Sequence, residues 1–278
     1  MKNFNVNGAG LGLRRELLPD LESGIPDVIQ FFEVAPENWM RLGGKLSKHF
    51  RQLTEQYRFV AHGLSLSIGS PAPLDIEFLK RLKIFLNEHH FAFYTEHLSY
   101  CGDESHCYDL YPIPFTEEAV HYVAERMRIA QDILEQPIAL ENPSYYVKPP
   151  LAEMDELAFI NAVLTEANCL LHVDINNIYV NSLNHNYDAA TFLKGLHGER
   201  IIYGHIAGHD LDESGIIIDT HGQATCDPVW QLLALAYQTF GVFPCLLERD
   251  TNIPPLADLL KEVSHIAKVQ QHYGAQSS

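Results

Sequence analysis

Residues able to hold a metal ion stand at the ends of short apolar runs along this chain: His62, His97, Glu141, Asp174, His205 and Glu248, with Glu33 or Glu37 after an earlier run. The string HIAGH adds His209 four residues after His205, and IDTHG sets Asp219 and His221 one residue apart. Asn176 is a weaker oxygen donor beside Asp174, and whether it or Asn177 serves is open. Imidazole with carboxylate and no thiolate suits iron, manganese or zinc better than a structural zinc or an iron–sulfur cluster. One ion takes about four to six ligands including water, so these ten candidates imply two or three ions. Glu141 is expected to bridge neighbouring ions, and Glu141, His97 and Asp174 are the expected catalytic residues. Glu96 has the opposite strand parity to His97 and is expected to support it from behind. His172 reads as a hydrogen-bonded core histidine.

Distant donors need a scaffold that brings strand ends together. Eight apolar runs are strand candidates: Val6–Leu13, Val28–Val34, Phe59–Leu66, Ala92–Leu98, Ile138–Glu141, Cys169–Ile175, Ile201–Ile206 and Cys245–Glu248. Several are continuous and aliphatic, as strands buried on both faces should be. Helical spacing of apolar residues predicts helices over Leu74–His90, Glu117–Leu134, Glu156–Glu166, Ala189–Leu196, Pro228–Phe240 and Pro255–Gln271. The alternation predicts an α/β fold, a (β/α)8 TIM barrel, whose strand ends meet at one face. A single catalytic domain is expected over 1–273, with a disordered tail at 274–278. Cys101–Thr116 and Asn176–Asp188 are too long for simple connections and are expected to project as loops over the pocket. Tyr108, Asn177, Tyr179 and Asn184 on them, and Tyr100 just before the first, are candidate substrate contacts. The GAGLG string that contains Gly8, Gly10 and Gly12 is not a dinucleotide fingerprint and reads as backbone permissiveness in a tight strand.

Composition narrows the partners. The 278 residues carry 36 acidic and 19 basic side chains, a formal net charge of -17. Phosphate binding rests on clustered Lys and Arg, so nucleic acid and anionic membrane surfaces are disfavoured. Five cysteines without a C-x-x-C pair fit free thiols in a reducing compartment. No secretory leader pattern opens the chain and no run of about 18 apolar residues occurs, so a cytoplasmic protein is expected.

Ten ordered strings span almost the whole chain: AGLGLRRELL, FFEVAPENW, HGLSLSIG, TEHLSYC, LYPIPFTEEAV, ALENPSYY, VDINNIYVNSLNH, HIAGH, DTHG and LLERDTNIPPL. In these the chain resembles the multinuclear non-haem iron-dependent oxidative enzymes, long catalogued as an uncharacterised bacterial family. The resemblance implies a TIM barrel with two or three iron ions, using O2 as co-substrate on cysteine residues of a ribosomally made precursor peptide. It also implies a small partner protein that delivers the peptide. Carried over by motif, the iron ligands fall on His62, His97, Glu141, Asp174, His205, His209, Asp219, His221 and Glu248, so no ligand is missing. Two other functions use similar donors: a metal-dependent hydrolase or isomerase of the xylose isomerase-like barrel class, and a non-catalytic metal-binding protein. A sugar isomerase would act without O2 and would use a Lys or His beside the sugar, and no lysine follows a strand end here.

Overall fold

The computed structural model describes residues 6–22, 24–102 and 106–275, with the side chains of 106–109 left undescribed. Its strands are β1 Ala9–Gly12, β2 Phe31–Val34, β3 Phe59–Gly63, β4 Tyr94–His97, β5 Ser99–Gly102, β6 His106–Pro112, β7 Ile138–Glu141, β8 Leu170–Asp174, β9 Ile201–Ile206, β10 Asp210–Leu211, β11 Ile217–Ile218 and β12 Cys245–Leu247. Its helices are α1 Leu18–Leu21, α2 Gly44–Gln56, α3 Ile76–Glu88, α4 Glu117–Leu134, α5 Glu156–Glu166, α6 Ile175–His185, α7 Ala189–Gly195, α8 Asp227–Phe240 and α9 Leu256–Gly274. Eight strands close into a barrel in the hydrogen-bonded order β1-β12-β9-β8-β7-β4-β3-β2, while β5-β6 and β10-β11 form separate two-stranded sheets. The pairs β1–β12, β1–β2, β9–β12, β3–β4, β4–β7 and β7–β8 are all parallel. All eight strand candidates contain a barrel strand, as the apolar runs demanded.

Residue contacts group the chain into two compact units, Val34–His172 and the pair Met1–Glu33 with Val173–Ser278. In the first, β3, β4, β7 and β8 pair so that His62 stands beside Thr95, His97 beside Glu141, and Glu141 beside His172. Helix α4 starts where the Thr116 side chain accepts the Ala119 N–H at 3.1 Å, and it buries Val120, Val123, Met127, Ala130 and Leu134. In the second unit β1 pairs β2 and β12, which pairs β9, setting Glu33 beside Gly12 and His205 beside Leu246. Gly10 is required there, because a Cβ would overlap the Phe31 ring.

Two expected loops are ordered elements. Cys101–Thr116 is largely a β-hairpin, β5 paired antiparallel with β6. Asn176–Asp188 is mostly helix α6, and α2 also forms where periodicity gave no prediction. The reason in α6 lies in its ends: Asp174 accepts the Asn177 N–H at 2.6 Å, and Asn186 closes the helix with φ 58°. Those caps override a sequence rich in Asn and β-branched residues. Helix α9 extends through Gly274, and 276–278, most of the expected tail, lie outside the described residues, as does the Tyr108 side chain. The cysteines described, Cys101, Cys169, Cys226 and Cys245, are free thiols. Among the described residues no helix is long and apolar enough to cross a membrane.

Candidate metal centre

In the unit Val34–His172 the strand register builds a cluster around one oxygen. Neighbouring parallel strands lie about 4.8 Å apart, so side chains in register on one face touch. Glu141 Oε2 is 2.9 Å from His62 Nε2, 3.5 Å from His97 Nε2 and 3.9 Å from His172 Nδ1. The two Nε2 atoms face each other at 3.1 Å. His62, Glu141 and His172 offer donor atoms all within 4.8 Å of one another, and all three are buried. His97 Nδ1 lies 3.0 Å from the Gly63 carbonyl, which can only accept. The proton therefore sits on Nδ1, and Nε2 turns its lone pair toward the cluster. His62 Nδ1 is set by the Thr95 hydroxyl at 2.7 Å. Glu96 stands behind His97, accepting from the Tyr94 hydroxyl at 2.6 Å and from the Leu66 N–H at 3.2 Å. Burial and Glu96 hold the Tyr94 phenol well above its ordinary pKa, so it remains a donor.

In the other unit the donors form a continuous thread. His205 Nε2 is 2.8 Å from Glu33 Oε2, which also accepts from the Tyr203 hydroxyl at 2.6 Å. His205 Nδ1 is 2.9 Å from Glu248 Oε2 and 3.8 Å from Asp174 Oδ2. Glu248 Oε2 is 3.4 Å from His221 Nδ1, and His221 Nε2 is 2.9 Å from Asp219 Oδ1. Asn176 Nδ2 donates to that same Asp219 oxygen at 2.6 Å, while its Oδ1 stands 2.8 Å from His209 Nδ1. Asn176 is thus the asparagine that faces His209 and Asp219; Asn177 is buried and lends its backbone N–H to Asp174.

Charge explains how these groups tolerate each other. Burial opposes the charged form of His205, yet Glu33 and Glu248 outweigh it and hold its pKa well above the ordinary value. His221 behaves alike, with burial opposed by Asp219 and Glu248. At His209 burial prevails over Asp219 and Asp210, and the imidazole pKa is lowered. A field that draws protons onto buried imidazoles draws a cation equally, and the donor atoms are nitrogen and carboxylate oxygen without thiolate. The residues therefore fit a metal of the iron, manganese or zinc type.

Three residues of these clusters have no counterpart among the ten ligand candidates. His172 joins the Glu141 cluster instead of serving only the core; it shares a strand face with Asp174 two residues on, and that alternation was the available signal. Glu33, named only as an alternative to Glu37, groups with His205 and Glu248. Asp250 lies 2.9 Å from His221 Nδ1 and accepts from Arg14 Nε at 2.8 Å, and Arg14 also reaches Glu248 at 3.7 Å. Both sit inside the strings RRELL and LLERD, where nothing distinguishes them by spacing. Of the candidate substrate contacts, Tyr100 stacks on Tyr111 with ring centroids 5.4 Å apart, and Tyr179 packs on His209 at 5.3 Å. Asn184 is engaged with backbone: its amide donates to the Ile217 carbonyl at 2.8 Å and accepts the Ile217 N–H at 2.9 Å.

Residues 8–271 match the family model described as RiPP precursor modification enzyme MbnB/TglH/ChrH. A UPF0276 protein of Nitrosospira multiformis is 58% identical over 264 residues, covering 95% of this chain and 93% of the relative. A UPF0276 protein of Pseudomonas aeruginosa is 49% identical over 274 residues, covering 99% and 96%. Among solved structures, a D-tagatose 3-epimerase-like protein superposes with a TM-score of 0.61 at 14% identity, covering 94% of this chain and 98% of that one. The zinc-bound IOLI protein gives 0.61 at 13% identity, covering 97% and 98%. At such identity the likeness is one of fold alone.

Proposed function

The chain belongs to the RiPP precursor modification enzyme family MbnB/TglH/ChrH, and from that premise we propose that it is an iron- and O2-dependent oxidoreductase acting on cysteine residues of a ribosomally made peptide. The observation that carries the reading is the Glu141 cluster, a buried carboxylate oxygen ringed by His62, His97 and His172. Four strand-borne groups of this kind serve no packing purpose that apolar residues would not serve better. One set of ligands is His62, His97, Glu141 and His172. The other is drawn from Asp174, His205 and Glu248 with Asn176, His209, Asp219 and His221. Two or three ions match that supply.

Iron, when bound, supplies one-electron chemistry toward O2 and a Lewis acid that lowers the pKa of a substrate thiol. The protein's residues orient and neutralise. Thr95 and the Gly63 carbonyl fix the rings of His62 and His97, as outer partners of ligating histidines do. Tyr203 shares the Glu33 oxygen with His205 and keeps that carboxylate turned inward. Because precursor peptides are made by ribosomes, this reading implies a cytoplasmic enzyme, with a small protein delivering the peptide. Of the candidate substrate contacts, Tyr100 and Tyr179 keep partly exposed aromatic rings for peptide contact. The test is anaerobic loading with Fe(II), followed by O2 and short cysteine-containing precursor peptides. O2 consumption with a mass change at a cysteine is the expected result. Conversion of a sugar without O2, or metal binding with no peptide change, would overturn it.

A further inference from the structure

A cavity of about 380 Å³ lies in the unit Val34–His172, lined by Glu37, Met40, Arg41, Ser65, Asp75, Phe78 and Arg81. Arg41 and Arg81 are exposed and make no hydrogen bond or ion pair with the described residues. In a chain with 36 acidic side chains, arginines are usually taken up: Arg51 by Glu88 and Arg249 by Glu262. Two guanidinium groups instead stand open on this one cavity, and guanidinium matches carboxylate geometry. Glu37 lines the same cavity. Its Oε1 accepts the Leu64 N–H at 2.9 Å, while its Oε2 is buried with no hydrogen-bond partner among the described residues. The remaining carboxylate, Asp75, is occupied in part by capping α3 through the Phe78 N–H at 2.8 Å.

The mixture of charges decides the ligand class. A bare inorganic anion would gain from the arginines and lose against Glu37 and Asp75. A peptide brings a carboxylate for the arginines and N–H donors for the second oxygen of Asp75, and its aliphatic parts meet Met40 and Phe78. We infer that this cavity is a recognition subsite for a carboxylate-bearing segment of the peptide substrate. The inference rests on the proposed peptide-modifying function and deepens it. Its tie to the metal cluster runs through backbone, because Glu37 holds Leu64, two residues past His62.

The carboxylate belongs to an acidic side chain or to a chain terminus, and titration calorimetry on the metal-loaded protein separates them. Three ten-residue peptides with one central cysteine serve as probes: one with Glu beside the cysteine and an amidated end, one with Gln and a free C-terminal carboxylate, one with Gln and an amidated end. At least one carboxylate form should bind fivefold or more tighter than the neutral form. That difference should vanish in the double variant Arg41→Gln/Arg81→Gln and persist in Arg58→Gln, a control arginine that does not line the cavity. Equal affinity of all three peptides, no measurable binding of any, or discrimination that survives the double variant would overturn the inference. Since O2 uptake plays no part in the readout, failure here leaves the redox proposal standing, and failure of the redox proposal leaves this result readable.

Discussion

Glu141 Oε2 has three imidazoles within 3.9 Å, and its replacement is the sharpest test of the cluster. Glu141→Gln keeps the shape and removes the charge that assembles the ring nitrogens. Bound metal, measured by elemental analysis after anaerobic loading, should fall by at least one ion per chain while the far-ultraviolet dichroism is unchanged. His97→Ala should do the same, and full metal content in both variants would remove Glu141 and His97 from the ligand set. His172→Phe is equally informative, because strand alternation alone did not separate a core histidine from a donor. Retained metal there would return His172 to a packing role. At Gly63 the cost is steric: a Cβ would overlap the Tyr94 hydroxyl and the Glu96 carboxylate. Gly63→Ala should destabilise the fold by about 1–3 kcal/mol, the usual penalty for overpacking, read as a lower denaturant midpoint.

At the scale of elements, helix α6 grips the β10–β11 hairpin at two points eight residues apart. Asn176 holds Asp219 and His209, and Asn184 pairs with the Ile217 backbone. Asn184→Ala should leave α6 formed and speed backbone amide exchange at Ile217 at least tenfold. Unchanged exchange there would show that the hairpin stands by its own pairing. Another element, α2, places Thr54 against His89 at 2.9 Å, with Phe50 and Phe85 packed on the His89 ring. Burial and Arg51 lower the His89 pKa below its ordinary value of about 6.5. The unfolded chain then binds the proton more readily than the folded one. His89 stabilises the native state fully above that ordinary value, and the contribution fades as pH falls through the folded pKa. His89→Phe should flatten the loss of stability between pH 7 and pH 5, followed by urea unfolding. An unchanged slope would assign the acid sensitivity elsewhere.

For the whole molecule, the barrel was legible because each strand is a compact apolar run, and continuous aliphatic stretches have few other structures open to them. The strand-end donors were legible for the same reason, since a His or Glu closing such a run breaks its pattern. What escaped was set by contacts remote in sequence. Helix α6 depends on the Asp174 and Asn186 caps. The β5–β6 hairpin pairs Ser99 with Pro112 across residues that read as a polar loop. Arg14 and Asp250 are separated by 236 positions. The clusters also bear on global stability. They crowd carboxylates that burial penalises, so a bound cation should raise thermal stability by mass action. Chelation of the loaded protein is expected to lower Tm by several degrees, with Fe(II) restoring it; a Tm indifferent to metal would mean that the crowding is already relieved by protons.

Asp174 has two tasks in two different atoms. Oδ1 starts α6 by receiving the Asn177 N–H at 2.6 Å, and Oδ2 looks toward His205 Nδ1 at 3.8 Å. A candidate ligand that is also a helix cap would tie occupancy to secondary structure: whatever draws the carboxylate forward tugs on the first turn behind it. The deuterium uptake of that single amide should therefore report whether a metal occupies the proposed seat, giving a gauge of loading that needs neither colour nor catalysis.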